Sequence, residues 1–183
     1  MSEHMALENL TVLDLTRVLA GPFCTMMLAD MGANVIKIEV PKGGDDTRGY
    51  PPFRAKNLNG KRESVYFANI NRNKKGITLN LKAPEGKEIF KELVKKADIV
   101  VENYRPGVMD KLGLGYDVLK EINPRIIYAA VSGFGCYGPY HLRPGYDILA
   151  QAMGGMMSIT GSKGGEPTRA GSALGDILGG LHV

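Results

Sequence analysis

The feature that most narrows the fold is the order of segments between Thr11 and Glu39. Thr11 to Leu15 is β-branched and aliphatic and reads as a strand. Gly21-Pro22 then opens a helical segment over Phe23 to Met31 that stops before Gly32, and Asn34-Val35-Ile36-Lys37-Ile38-Glu39 reads as a second strand. Two strands joined by one helix over so short a stretch imply a right-handed parallel crossover.

The alternation continues. Pro41 to Arg62 is rich in Gly, Pro and charge and is expected to be a long surface excursion. Order resumes at Ser64 to Ile70, and Gly76 to Leu81 reads as a strand. A helix starts at Ala83-Pro84, with Ile89, Phe90, Leu93, Val94 and Ala97 on one face and the proline in the first turn, where it is tolerated. Asp98 to Glu102 is apolar in its middle, as a buried parallel strand should be. Tyr116 to Ile122 reads as a short helix, Arg125 to Val131 as a strand, and Ile148 to Met157 as helical. The expectation is an α/β fold with a mainly parallel, Rossmann-like sheet and flanking helices. At 183 residues, 44% hydrophobic and 23% charged, the chain suits one soluble globular domain with a sizeable core.

Several function classes drop out. No run approaches the ~20 apolar residues of a membrane helix, and the N-terminus lacks a basic region followed by an apolar stretch. Cys24 and Cys136 have no metal-ligand spacing and suggest no disulfide framework, so cytoplasmic thiols are the plain reading. The three histidines have no ligand spacing, so no metal is expected. Charge is uneven, however. From Arg54 to Lys82 the chain carries Arg54, Lys56, Lys61, Arg62, Arg72, Lys74, Lys75 and Lys82 against the single acid Glu63. That pattern fits either a solvated face or an anionic partner. Nucleic acid is disfavoured, because no recognisable module is present and no aromatic stacking pattern accompanies the lysines.

In parallel α/β sheets, ligands bind beyond the carboxyl ends of the strands. The residues there are Arg17 to Gly21, Glu39, Asn103-Tyr104-Arg105 and Ser132 to Gly135. The first turn lacks the spaced glycines of a dinucleotide site, so nicotinamide and flavin are disfavoured and Glu39 reads as a surface residue at a strand end. Asp176, before Ile177-Leu178, reads on its own as a helix N-cap.

A longer pattern changes that reading. Val12-Leu13-Asp14-Leu15-Thr16-Arg17-Val18-Leu19-Ala20-Gly21-Pro22, then Gly32 to Glu39, Asn71 to Gly76, Ala97 to Gly107, Ser132-Gly133-Phe134-Gly135, Gly145-Tyr146-Asp147 and Gly175-Asp176 follow in order over nearly the whole chain. Together they resemble family III CoA-transferases, which include formyl-CoA and carnitine CoA-transferases. The resemblance implies that residues 1–183 form the N-terminal CoA-binding domain, with the family's second, smaller domain outside this chain. It implies CoA contacts at Val18, Leu19 and Ala20, phosphate contacts at Asn73, Lys74 and Lys75, a pair flanking the adenine or pantetheine at Asn103 and Tyr104, and a basic contact at Lys111. Asp176 then matches the catalytic aspartate, a covalent acyl carrier that needs neither metal nor permanently bound cofactor, with CoA and acyl-CoA as substrates. Tyr146 and Asp147 would close the site or meet substrate. Small carboxylates are the expected second substrates, and the full-length protein is expected to be a homodimer.

Two rivals follow from the same resemblance. α-Methylacyl-CoA racemases share the fold but use a histidine where Tyr146 stands, and a phenol of pKa about 10 is a poor base. Alternatively, the chain is a CoA-binding portion that is inactive without its C-terminal remainder.

Overall fold

Strand β1 (Thr11–Asp14) is the centre of the molecule. A computed structural model describes residues 4–54, 60 and 62–183. Lys56 and Lys61 of the basic stretch lie outside the described residues. Helix α1 (Ala20–Asp30) leads from β1 to β2 (Asn34–Glu39), which pairs parallel with it, Val12 beside Val35 and Asp14 beside Lys37. The helix begins three residues before the expected Phe23. Pro22 then falls in the first turn, where no intrahelical N–H is required.

The excursion after β2 holds a 3-10 turn at Asp46–Gly49 and a short antiparallel pair, β3 (Phe53–Arg54) with β4 (Glu63–Ser64). Ser64 caps α2 (Val65–Ile70) by accepting from the Phe67 N–H. β5 (Lys75–Thr78) ends earlier than the expected Leu81. Leu79 still donates to the Glu39 carbonyl, and it and Leu81 pack in the core on the way to α3 (Pro84–Val94). β6 (Ile99–Glu102) returns beside β1, and β7 (Ile127–Ala130) pairs with β6. Between them lie α4 (Val108–Leu112), which the sequence reading did not anticipate, and α5 (Tyr116–Ile122), which matches expectation. Left-handed Gly107 and Gly113 flank α4 and leave it one turn long, too short for a visible periodicity.

The sheet order is β5-β2-β1-β6-β7, all parallel. Alternate side chains divide the core between its two faces. Val12, Val35 and Val101 pack with Ala29 and Ala33 of the α1 layer, whereas Leu13, Ile38 and Val100 pack with Phe90, Val94 and Leu119 of α3 and α5. Because β1 runs out first to β2 and β5, and the chain then returns to β6, a crevice opens between the loops that follow β1 and β6.

Beyond β7 the chain forms α6 (Asp147–Met153), a 3-10 turn at Met156–Ser158 and α7 (Leu174–Leu181). The single helix expected over 148–157 is broken at Gly154-Gly155, where Gly155 is left-handed. No described helix is long and apolar enough to cross a membrane.

Candidate active site

The first wall of the crevice is built on a buried carboxylate. Asp14, at the end of β1, is fully buried. Its Oδ1 accepts from the Thr16 N–H at 2.8 Å, and its Oδ2 accepts from Thr25 Oγ1 at 2.7 Å and Lys74 Nζ at 3.0 Å. Burial pushes this carboxyl up, but Lys74, Lys37 and the hydroxyls of Thr16 and Thr25 together hold it below the usual carboxylate range. The result is a tight, polar start to the turn Thr16-Arg17-Val18-Leu19, in which Val18 is left-handed at φ 67°.

Lys74 is therefore not where a phosphate could meet it. Its side chain is 1% exposed, and its ammonium donates to Asp14, to the Pro22 carbonyl at 2.9 Å and to Asn71 Oδ1 at 2.9 Å, so all three protons are used. Burial pulls it down to about 8. Its neighbours point elsewhere too. Asn73 donates to Asp30 and Lys75 to Asn34, and both line a separate depression with Met5 and Asp30. The physical reason is placement: Lys75 opens β5, and its side chain and that of Asn73 reach back to the start of β2 and the end of α1.

The second wall follows β6. Asn103 accepts from the Arg17 N–H at 2.8 Å and donates to the Arg17 carbonyl at 2.7 Å, which locks the two loops together. Its amide is thus a brace between walls. Tyr104, Arg105, Pro106 and Val108 continue the lining. Burial pushes the half-buried Tyr104 phenol up, with Arg17 opposing. Lys111 is exposed on α4, on the same face as Val108 three residues earlier. Glu39, expected at the surface, is buried and paired with Arg48, because the loop after β2 folds back over the strand end.

The far wall comes from residues 131–134, 143–146, α6 and α7. Two strands of backbone cross there. A Cβ on Gly133 would lie 2.2 Å from the Gly145 Cα, so neither position admits a side chain without separation of the loops. Tyr146 precedes α6 and is 68% exposed, facing the crevice. Asp147 turns inward. It accepts from the Gly175 N–H at 2.9 Å and from Gln151 Nε2 at 2.8 Å, and Arg169 Nε lies 3.4 Å away. The N-terminus of α7 is thereby tied to that of α6. Asp176 is the third residue of α7, two beyond an N1 position, so it is not the N-cap; Ala173 occupies that place. Burial pushes the Asp176 carboxyl up, and the like charge of Asp147 adds to this. At its other end α7 meets α1, where a Cβ on Gly180 would come within 2.4 Å of the Ala20 carbonyl oxygen.

These walls enclose a cleft of about 950 Å³ that brings together Val18, Leu19, Ala20, Asn103, Tyr104, Tyr146 and Asp176. It does not include Asn73, Lys74 or Lys75. Its cations are instead Arg17, Arg105 and Arg143. Arg17 pairs with Asp46, and the Arg143 guanidinium lies 4.0 Å from the centre of the Tyr140 ring. Arg143 was not singled out from sequence; nothing but the fold brings it beside the loops after β1 and β6. Among the described residues no group of His, Cys, Asp and Glu is arranged to hold a metal ion. A partly buried carboxylate with a raised proton affinity, at the first turn of a helix in a cleft that arginines also line, is suited to attack an electrophile carried by an anionic ligand.

Comparison with known proteins identifies the family. The profile of CoA-transferase family III matches residues 7–183. An acyl-CoA transferase of Fusarium pseudograminearum is 52% identical over 185 residues, which cover 100% of this chain and 41% of that protein. The human succinyl-CoA:glutarate CoA-transferase is 49% identical over 184 residues, again 100% of this chain and 41% of the relative. The crystal structure of a CAIB/BAIF family protein from Brucella suis superposes with a TM-score of 0.93 at 45% identity, over 98% of this chain and 47% of that one. The chain thus spans less than half the length of these relatives, and by its sequence and fold it belongs to CoA-transferase family III.

Proposed function

We propose that this chain is the N-terminal, CoA-binding portion of an enzyme that moves CoA between an acyl-CoA thioester and a free carboxylic acid, with Asp176 as the covalent carrier. The observation that carries the reading is the placement of Asp176 on the first turn of α7, lining the cleft at the sheet's crossover point.

In this reading an Asp176 carboxylate oxygen attacks the thioester carbonyl. The C–S bond breaks, CoA leaves as thiolate, and a mixed anhydride remains. The thiolate then attacks the Asp176 carbonyl, which frees the first acid as carboxylate and leaves an aspartyl thioester. The acceptor carboxylate attacks that thioester, and the released thiolate takes the new acyl group, which regenerates Asp176. Each step exchanges one activated acyl bond for another, so no outside energy source enters. The raised proton affinity of Asp176 makes its ionised form a better nucleophile, while its helix N-terminus favours the negative charge.

Arg17, Arg105 and Arg143 supply the cationic lining for the CoA phosphates and for the acid; Lys111, exposed on α4, is not part of that lining. Val18, Leu19 and Ala20 meet the CoA chain, Tyr104 flanks it, and Tyr146 closes over the acyl group. The name of the human relative pairs succinate with glutarate, and an arginine-lined cleft suits such dicarboxylates. Tyr137, Leu142, Ile159 and Leu181 are exposed apolar side chains that the rest of the full-length homodimer would cover.

The test is a transfer assay on the full-length protein with succinyl-CoA and a panel of carboxylates, together with hydroxylamine trapping. Transfer and an Asp176 hydroxamate are expected, and Asp176→Asn should lower the rate by at least about 10³-fold. Activity should fall on the acid side as Asp176 protonates, at a pH above the ordinary aspartate range. Rapid entry of solvent deuterium at the α-carbon of an acyl-CoA without transfer would establish isomerase chemistry instead.

A further inference from the structure

The loop after β2 contributes no reacting group, yet it delivers a buried carboxylate to the back of the CoA-binding turn. Val18 is the β-branched residue among the three described non-glycine residues with positive φ. A branched side chain enters that region only at a cost, and such a conformation persists where its surroundings impose it.

At Val18 the surroundings are an ion pair. Lys37 and Asp45 have side chains 2% and 1% exposed, and Lys37 Nζ lies 3.0 Å from Asp45 Oδ2, a contact of charge whose angle leaves that oxygen without a directed hydrogen bond. The other Asp45 oxygen accepts from the Val18 N–H at 3.3 Å and from the N–H and hydroxyl of Thr47 at 3.0 and 2.8 Å. Lys37 Nζ donates to the Thr16 carbonyl at 2.8 Å. From the opposite side, Asn103 holds both the N–H and the carbonyl of Arg17. The backbone from Thr16 to Val18 is therefore held at four consecutive polar atoms.

A buried ion pair is a poor way to stabilise a sheet, since apolar residues of similar volume do as well or better. Lys37 lies between Ile36 and Ile38 in β2, and both it and Asp45 reach the turn.

We infer that the buried Lys37–Asp45 pair is a positioning device that keeps the Val18 turn left-handed and so sets the affinity of the cleft for CoA. The inference rests on the reading that the cleft takes CoA. Neither side chain touches the ligand; both act through the backbone of residues 16–18.

Two measurements on the protein test it: CoA affinity by titration calorimetry, and hydrogen exchange at the Arg17 amide, whose own acceptor Asn103 is untouched. Asp45→Ala is expected to weaken CoA binding about tenfold, equivalent to about 1.4 kcal/mol, and to speed Arg17 exchange. Adding Val18→Gly should recover about threefold or more of the affinity, because glycine adopts the left-handed conformation freely but is itself more mobile. Should Asp45→Ala fail to fold, Lys37→Met with Asp45→Asn removes both charges together, and the same loss and the same rescue are expected. Failure of Val18→Gly to restore affinity, or unchanged Arg17 exchange, overturns the inference. If the unmodified protein binds no CoA, the functional reading fails by itself, and Arg17 exchange still decides whether the pair positions the turn.

Discussion

The layers around β1 and the segment beyond β7 are built on opposite plans. Around β1, even charges are internal: Asp14 meets Lys74 and Lys37 meets Asp45, while the buried Glu39 meets a half-exposed Arg48. Beyond β7, few residues are buried, and large apolar side chains such as Ile159 and Tyr137 stand 86% and 88% exposed. Yet Asp176 and Tyr146 belong to this open segment. The half that shapes the turn proposed to meet CoA is tied by buried charge pairs, whereas the half that carries the proposed nucleophile is held by close backbone approaches, Gly133 to Gly145 and Gly180 to Ala20, and by the hydrogen bonds of Asp147 and Gln151. The proposed binding and the proposed chemistry thus fall to parts with different sources of order.

That contrast can be broken by mutation. The largest effect is expected at Asp14→Ala, which leaves the Lys74 ammonium buried and unpaired and should cost about 3–5 kcal/mol in urea unfolding. Lys74→Met in the same chain should return much of that, because the uncompensated charge is then gone; no recovery would mean that Asp14 acts through Thr16 and Thr25 instead. A smaller loss, about 1–3 kcal/mol, is expected for Gly180→Ala, where the new methyl group must push α7 off the Ala20 carbonyl. Its signature is local: faster hydrogen exchange through α7 with β1 and β6 unchanged, and a uniform change would erase the distinction between the two regions. The smallest effect is expected at Leu181→Ser. This side chain is 51% exposed, so the substitution should lie within about 0.5 kcal/mol in the isolated chain. A larger loss would show that the open segment has a core of its own.

The pairing of charges also fixes a pH dependence around β1. The folded Asp14 carboxyl lies below its ordinary value, so its contribution is present above the unfolded pKa of about 3.9 and is lost as pH falls through the folded value. Asp176 is shifted the opposite way, so its ionisation weakens the fold as pH rises through the ordinary carboxylate range.

Much of the architecture was legible because it is periodic. The strand at Asn34–Glu39 and the helices at Pro84–Val94 and Tyr116–Ile122 follow from local pattern, and the loops after β1 and β6 were already marked as strand ends. What local pattern missed is equally specific. The family resemblance implied phosphate contacts at Asn73, Lys74 and Lys75; only the fold turns Lys74 inward and ties its neighbours to Asp30 and Asn34. One signal was available: a lysine within Val35-Ile36-Lys37-Ile38 and an aspartate within Val12-Leu13-Asp14-Leu15 interrupt buried strands, and charges in such places demand partners.

The sequence by itself determined the alternation of strands and helices, the parallel crossover and, through its ordered motifs, the family, because each depends on residues near one another in the chain. Only the tertiary structure decided which charges face the cleft and which are consumed within it. Arg143 joins Arg17 and Arg105 across long separations, and Asp45 reaches the back of Val18 from the next loop. Such pairings are set by how layers pack and where strands end, and no local window of sequence contains that distance.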